Sequence, residues 1–154
     1  MKGVHTDGRA FIEKACGAGA SCVVAEKGDI GPCSVPVIEI DNLYRALGPI
    51  AAAYYGNSTA QMIGIAVTGT NGKTTTANWI ADLMNRLGTP CASIGTLGCT
   101  LNGIVLPSVS MTTPDPLTLQ AKFAELLSRG CKAFAMEASS IGLEQGRLDG
   151  TEIK

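Results

Sequence analysis

No charge of either sign dominates this 154-residue chain: twelve lysines and arginines against thirteen acids leave a net charge of −1. A balance so close offers no general attraction for nucleic acid or an acidic membrane, so any anion site has to be local. Histidine occurs once, at position 5, and the six cysteines (16, 22, 33, 91, 99 and 131) contain no C-x-x-C pair. Structural zinc sites draw on closer ligand pairs, which argues against one here. No apolar stretch reaches membrane-spanning length, and no segment has the basic start, apolar core and small-residue cleavage site of a secretion signal. These absences point to a cytoplasmic setting. There the cysteines, most of them inside apolar runs such as "SCVVA" and "GCKAFAM", are expected to be small buried hydrophobes.

What the chain has in quantity is glycine, nineteen residues of it, beside a 45% hydrophobic content and a mean hydropathy of +0.22. The apolar content is enough for a buried core, and the glycines imply tight turns and close backbone approaches. The length suits one ordinary domain or two small or incomplete ones.

The first segment reads as half a domain. "GRAFIEKACGAGA" places Phe11, Ile12, Ala15 and Cys16 on one helical face before glycines break it. "CVVAE" and "VPVIEI" are β-branched runs that predict strands. Asp41 is expected to cap a helix over "NLYRALGPIAAAYYG", where Leu43, Leu47, Ile50 and Tyr54 recur at helical spacing and Pro49 predicts a kink or an early stop. The polar, glycine-led "GNSTAQ" (56–61) reads as a linker, dividing the chain into residues 1–58 and 59–154.

The second segment alternates strand and helix. "MIGIAVT" predicts a buried strand, and residues 73–87 a helix with Ala77, Ile80, Ala81, Met84 and Leu87 inward. "PCASIG" is the next strand, and "TLGCTLNGIVLP" a hairpin turning at Asn102-Gly103. Thr113 is expected to cap a helix with Pro114 at its first position and Leu119, Phe123, Leu126 and Leu127 on its inner face. "CKAFAME" supplies a third strand. Strands at 62–68, 91–95 and 131–137 should lie side by side and parallel, covered on both faces: an α/β fold with a mostly parallel sheet.

A lysine between a glycine and three threonines, where strand gives way to helix in "IGIAVTGTNGKTTTANWIADLM", is either a surface charge or the cation of a phosphate site. The context favours the phosphate site. Gly69 and Gly72 let backbone N–H groups turn inward, and the helix N-terminus adds its dipole. Lys73 offers a full charge to β- and γ-phosphates, and Thr74 a hydroxyl for Mg²⁺. The strict pattern G-x-x-x-x-G-K-[ST] would place glycine where Val67 stands, so the match is to the variant G-T-N-G-K-T. A dinucleotide site needs no lysine and wants an acid ending the second strand, which "CASIG" lacks. Glu137, ending an apolar strand, has the placement of a carboxylate that reaches Mg²⁺ beside the phosphates. Lys73 and Glu137 should therefore converge at the C-terminal ends of the strands.

Together "GTNGKTTT" (69–76), "GTLG" (95–98), "TTPDP" (112–116), "MEASSIGLEQGR" (136–147) and "HTDGRAFI" (5–12) resemble the Mur ligases, and within them the MurE branch. "DGRAFI" followed by "GA" is also similar to the MurF branch, but "TTPD" and "MEASS" favour MurE. The resemblance implies a stretch of a longer enzyme extending past both ends. Residues 1–58 would be part of a UDP-binding domain and residues 59–154 the first half of a P-loop ATPase domain. It implies that Gly69, Thr70, Asn71, Gly72, Lys73, Thr74 and Thr75 hold ATP, with Thr74 and Glu137 on Mg²⁺ and Lys73 and Glu137 catalytic. Thr112, Thr113, Ser139, Gln145 and Arg147 would hold UDP-N-acetylmuramoyl-L-alanyl-D-glutamate, with Val4, His5 and Thr6 near its uridine. Ile141 stands where the family often has histidine, and it can neither ligate metal nor shuttle a proton.

The activity so implied is ATP-driven amide synthesis. It attaches a diamino acid, diaminopimelate by family prevalence, to the D-glutamyl carboxylate through an acyl phosphate. The partners are small molecules, with no nucleic acid or membrane, and the full-length enzyme is expected to be monomeric. The stretch alone is expected to be inactive. A folylpolyglutamate synthase shares G-T-N-G-K but lacks a UDP-binding domain, which "DGRAFI" counts against. A nucleotide-binding module without turnover is the non-enzyme alternative.

Overall fold

Glycines and β-branched runs set the boundaries of the elements, which the structure, a computed structural model, describes for residues 7–28, 30–107 and 111–154. The expectations for Val4, His5 and Thr6 lie outside these residues. The chain forms two compact units, Met1–Ala46 and Leu47–Lys154. Among the described residues no helix is long and apolar enough to cross a membrane.

In the first unit a short 3-10 turn, Gly8–Phe11, leads into α1 (Ile12–Gly17). Asp7 caps that turn, accepting from Arg9 N at 3.0 Å, and the Arg9 guanidinium holds its carboxyl down at about 2. Strands β1 (Val23–Glu26) and β2 (Val37–Ile40) pair in parallel, Val23 opposite Val37 and Glu26 opposite Ile40. Phe11, expected on an inner face, is 52% exposed.

Helix α2 (Leu43–Tyr54) runs through Pro49 without stopping. Its start is not capped by Asp41. Asn42 takes a left-handed φ of 55°, and the Glu26 carboxylate accepts from Asn42 N at 2.8 Å and Leu43 N at 2.9 Å. A carboxylate from the end of β1 thus satisfies the first helical amides, where a local side chain was expected. Leu43 is buried as expected, but Tyr54 points to solvent at 82% exposure, and Ala51 and Ala52 are buried in its stead.

The segment 56–61 is not a loose linker. Ser58–Gln61 form a 3-10 turn with Ser58 and Thr59 buried, and Thr59 Oγ1 accepts from Glu152 N at 3.1 Å. It is therefore built into the second unit, and the division between units falls earlier, within α2.

That unit is organised on β3 (Ile63–Val67), α3 (Lys73–Arg86), β4 (Cys91–Gly95), β5 (Gly98–Leu101), β6 (Ile104–Leu106), α4 (Pro116–Ser128), β7 (Ala133–Glu137) and α5 (Ser140–Glu144). The sheet order is β3-β7-β4-β5-β6. β7 is parallel to both neighbours, so the three expected strands lie side by side with Val67 opposite Glu137. β5 and β6 add an antiparallel edge. Asn102 and Gly103, both at positive φ, make the turn predicted there.

Alternation along the strands sends side chains to two faces. Phe134, Met136, Ala92 and Ile94 pack with Leu119, Phe123 and Leu126 of α4. Burial of each large apolar side chain contributes roughly 1.5–3 kcal/mol. On the other face Cys91 and Ala133 meet Ala81 of α3. Leu87, expected inward, lies just past α3 and is 75% exposed; Asn85 instead ties that end to β4 through both N–H and C=O of Cys91. Helix α4 starts two residues later than predicted. Asp115 is its cap, accepting from Thr118 N at 3.1 Å, and Pro116 takes the first position. Of the predicted inner residues Leu119, Phe123 and Leu126 are fully buried and Leu127 half-buried.

Candidate active site

Strands β3 and β7 end together, with Ala138 N donating to Val67 O at 2.8 Å, and the phosphate loop and Glu137 lie at that edge. The chain leaves β3 through the exposed loop 68–72 and enters α3 at Lys73. Gly72 sits at φ 80° before the helix, and no side chain caps it. The first-turn amides are thus left for an anion, which the helix dipole favours. Lys73 Nζ arches back over its own loop, donating to Gly69 O at 2.6 Å and Thr70 O at 3.3 Å. An open cavity of about 470 Å³ beside it is lined by Thr68, Gly69, Thr70, Lys73, Ser139 and Ser140.

Glu137, 2% exposed, is the hub of the site. Its Oε1 accepts from Thr74 Oγ1 at 2.9 Å and from Thr96 N at 2.8 Å, while Oε2 meets Thr96 Oγ1 at 3.4 Å. A Cβ on Gly95 would fall within the Glu137 carboxyl group, so only glycine lets the acid lie against β4. A hydroxyl and a carboxylate held 2.9 Å apart form an all-oxygen donor set, the chemistry Mg²⁺ selects. Thr74 and Glu137, the pair expected to share the metal, are thus in direct contact.

Of the residues expected to hold the peptide substrate, Thr113 bonds the same hub directly and Thr112 reaches it through Thr96. Thr96 Oγ1 and Thr112 Oγ1 are 2.9 Å apart. Thr113 is 1% exposed: its hydroxyl donates to Glu137 O at 3.0 Å and accepts from Ser139 N at 3.0 Å. It enters the site by fixing Glu137 and Ser139. Ser139 caps α5 through Gly142 N at 3.0 Å. Arg147 donates through Nη1 to Thr113 O at 2.7 Å, and through Nε and Nη2 to Gln145 Oε1 at 2.9 and 2.7 Å. Ile141 is 59% exposed.

The tasks of Thr96 and Gly95 do not show in the sequence of "GTLG". Nor does the sequence announce the chain Asn78 Oδ1–Ser93 Oγ–Thr100 Oγ1, at 2.6 and 2.9 Å, which pins α3 to the sheet one turn after Thr74. Polar residues at every fourth position of α3 and on the inner face of β4 were the available signal.

A glycine loop carrying lysine and threonine between strand and helix, faced by a carboxylate from a parallel neighbour, defines the P-loop class of α/β folds. Within that class, the family model of the Mur ligase middle domain matches residues 67–154, and the chain belongs to the Mur ligase family. It is 46% identical over 155 residues to the UDP-N-acetylmuramoyl-L-alanyl-D-glutamate--2,6-diaminopimelate ligase of Ralstonia nicotianae, covering 96% of this chain and 29% of that protein. The ligase of the same name from an Acidovorax species is 42% identical over 161 residues, covering 98% of this chain and 32% of the relative. A solved structure of a ligase so named superposes with a TM-score of 0.81 at 33% identity, covering 95% of this chain and 29% of the other. The chain thus spans about a third of the length of its curated relatives.

Proposed function

We propose that this chain carries the ATP- and muramoyl-peptide-handling residues of a peptidoglycan-precursor ligase. The reaction is addition of the third amino acid, meso-diaminopimelate, to UDP-N-acetylmuramoyl-L-alanyl-D-glutamate. One observation carries the reading: Glu137 is bonded to Thr74 on the phosphate-loop side and, through Thr96 and its own carbonyl, to the Thr112–Thr113 pair on the other. Two ligand sites that share a buried carboxylate can bring a phosphoryl donor to its acceptor. The names of the relatives support the choice of substrate.

In water a carboxylate and an ammonium do not condense, because each is in its unreactive ionic form. A side-chain carboxylate oxygen of the D-glutamyl residue attacks the γ-phosphorus, the bond to the bridging oxygen breaks, and ADP leaves. The free amine then attacks the acyl carbonyl, phosphate departs, and the amine's proton passes to a base. Loop amides from Gly69 to Thr75 orient the triphosphate, and Lys73 offsets charge on the moving phosphoryl group. Thr74 and Glu137 would hold Mg²⁺, which when bound neutralises phosphate oxygens. Arg147 recognises an anionic group of the muramoyl peptide, and Ser139, which like Arg147 is bonded to Thr113, adds a hydroxyl. The first unit would be part of a UDP-binding domain.

The test is a chimera in which this chain replaces the matching third of the Ralstonia relative, supplied with ATP and either diaminopimelate or lysine. ATP-dependent tripeptide formation is expected. Lys73→Ala should weaken MgATP binding by roughly 2–3 kcal/mol, about 30- to 150-fold, and abolish ligation. A chimera that binds MgATP normally but never ligates would reduce the chain to a binding module. Turnover that survives Lys73→Ala would remove the loop from the mechanism.

A further inference from the structure

Three of the six cysteines are absent from the buried core, and all three lie in the first unit: Cys16 and Cys33 half-buried, Cys22 exposed. Cys16 Sγ, on α1, lies 3.7 Å from Cys33 Sγ, on the segment before β2. That is thiol-to-thiol contact across a separation of 17 residues. The pair is reached from an open cavity of about 570 Å³ lined by Ile12, Glu13, Cys16, Gly17, Pro32, Cys33 and Ser34. No residue of the phosphate or peptide site takes part in it.

We propose that Cys16 and Cys33 form a modification site that closes to a disulfide on reaction with a low-molecular-weight disulfide such as oxidised glutathione. One thiolate attacks the glutathione disulfide, forming a protein–glutathione mixed disulfide and releasing one reduced glutathione. The second thiolate attacks the protein sulfur of that bond and releases another. The protein loses two electrons and two protons, and the glutathione disulfide gains them. The geometry selects the pair. In an unfolded chain, closing the 6-residue separation of Cys16 and Cys22 is favoured over the 17-residue separation of Cys16 and Cys33 by roughly fivefold on loop entropy alone. The fold reverses that order by placing Cys33, not Cys22, against Cys16. The product joins α1 covalently to the strand-leading segment, a reversible staple of the kind redox sensors use in a reducing compartment.

The full chain is incubated in oxidised and reduced glutathione at graded ratios, quenched by acid, alkylated after denaturation and mapped by peptide mass. A Cys16–Cys33 cross-link, two hydrogens lighter than the reduced pair and cleared by dithiothreitol, is expected at least tenfold over any cross-link involving Cys22. In 8 M urea the preference should invert towards Cys16–Cys22. Cys22→Ser should leave the cross-link intact, while Cys33→Ser should stop at a mixed disulfide on Cys16. Equal pairing of Cys22 with either partner in the native chain, or stable mixed disulfides on both Cys16 and Cys33, would overturn the assignment.

Discussion

Arg147 owes its orientation to two carbonyl oxygens, Thr113 O and Gln145 Oε1, which take one Nη1 proton, one Nη2 proton and the Nε proton between them. One N–H on each Nη is left for a ligand, so Gln145 acts by holding the arginine in place. Gln145→Leu removes the acceptor and keeps much of the volume. In the chimera it should raise KM for the muramoyl dipeptide and leave KM for ATP unmoved. Arg147→Lys keeps the charge but cannot bridge both carbonyls, and should cost roughly 1.5–3 kcal/mol of dipeptide binding. A rise confined to the ATP value would place both residues at the wrong ligand. At this scale the sequence was informative where chemistry is carried by residue type: lysine after glycine, threonine after lysine, an acid ending a strand. It did not show that Thr113 would be buried against Glu137 O, because a hydroxyl's partner depends on which strand end it meets.

Elements were legible through periodicity and less so at their ends. Apolar runs identify β4 and β7 as buried strands; β3, read the same way, is the end strand of the sheet and buries only Gly64, because a run of apolar residues does not say how many neighbours a strand has. The 3.6-residue repeat marks Leu119, Phe123 and Leu126 of α4 as core. The caps were misplaced for a common reason. "TTPDP" offers Thr113 before Pro114 and Asp115 before Pro116, two equivalent starts in sequence. Tertiary contact decides between them, since Thr113 is engaged by Glu137 O and Ser139 N, leaving Asp115 for Thr118 N. Asp115→Ala should therefore destabilise the second unit by about 1 kcal/mol, whereas Asp115→Asn, which keeps an acceptor, should cost much less. Urea unfolding followed by circular dichroism measures both. An equal loss for Asn and Ala would move the cap elsewhere. For α2 the capping group comes from Glu26, distant in sequence, which no local pattern announces.

Across the whole molecule the cysteines sort by unit: Cys91, Cys99 and Cys131 are buried in the second, while the first leaves Cys16, Cys22 and Cys33 reachable. The expectation of buried hydrophobes holds for half of them, because short flanking apolar runs do not reveal how thin the covering layer is. Burial pushes the Cys91 thiol up to about 12, helped by neighbouring Cys131, and pushes Cys99 up to about 11; Cys131 is raised by burial as well. The folded chain therefore keeps protons that the unfolded chain releases near pH 9. This stabilisation is complete below that pH and is lost as pH climbs towards 11 and 12. Urea midpoints of the reduced chain should fall between pH 9 and 11, and Cys91→Ala should flatten the decline relative to its own value at pH 8. Iodoacetamide at pH 8 should label Cys16, Cys22 and Cys33 in the native chain and the other three only after unfolding.

Glu137 lies so close to β4 that the backbone at Gly95 admits no side-chain carbon. A single-base change in a glycine codon leaves glycine when it falls at the third base and otherwise gives stop or a residue that carries a Cβ. No single-base missense change at this codon can therefore leave the carboxylate where Thr74 and Thr96 hold it. A lineage that needs this acid in place can vary the third base of the codon and nothing else, so the position is closed to stepwise drift by the genetic code as much as by the fold.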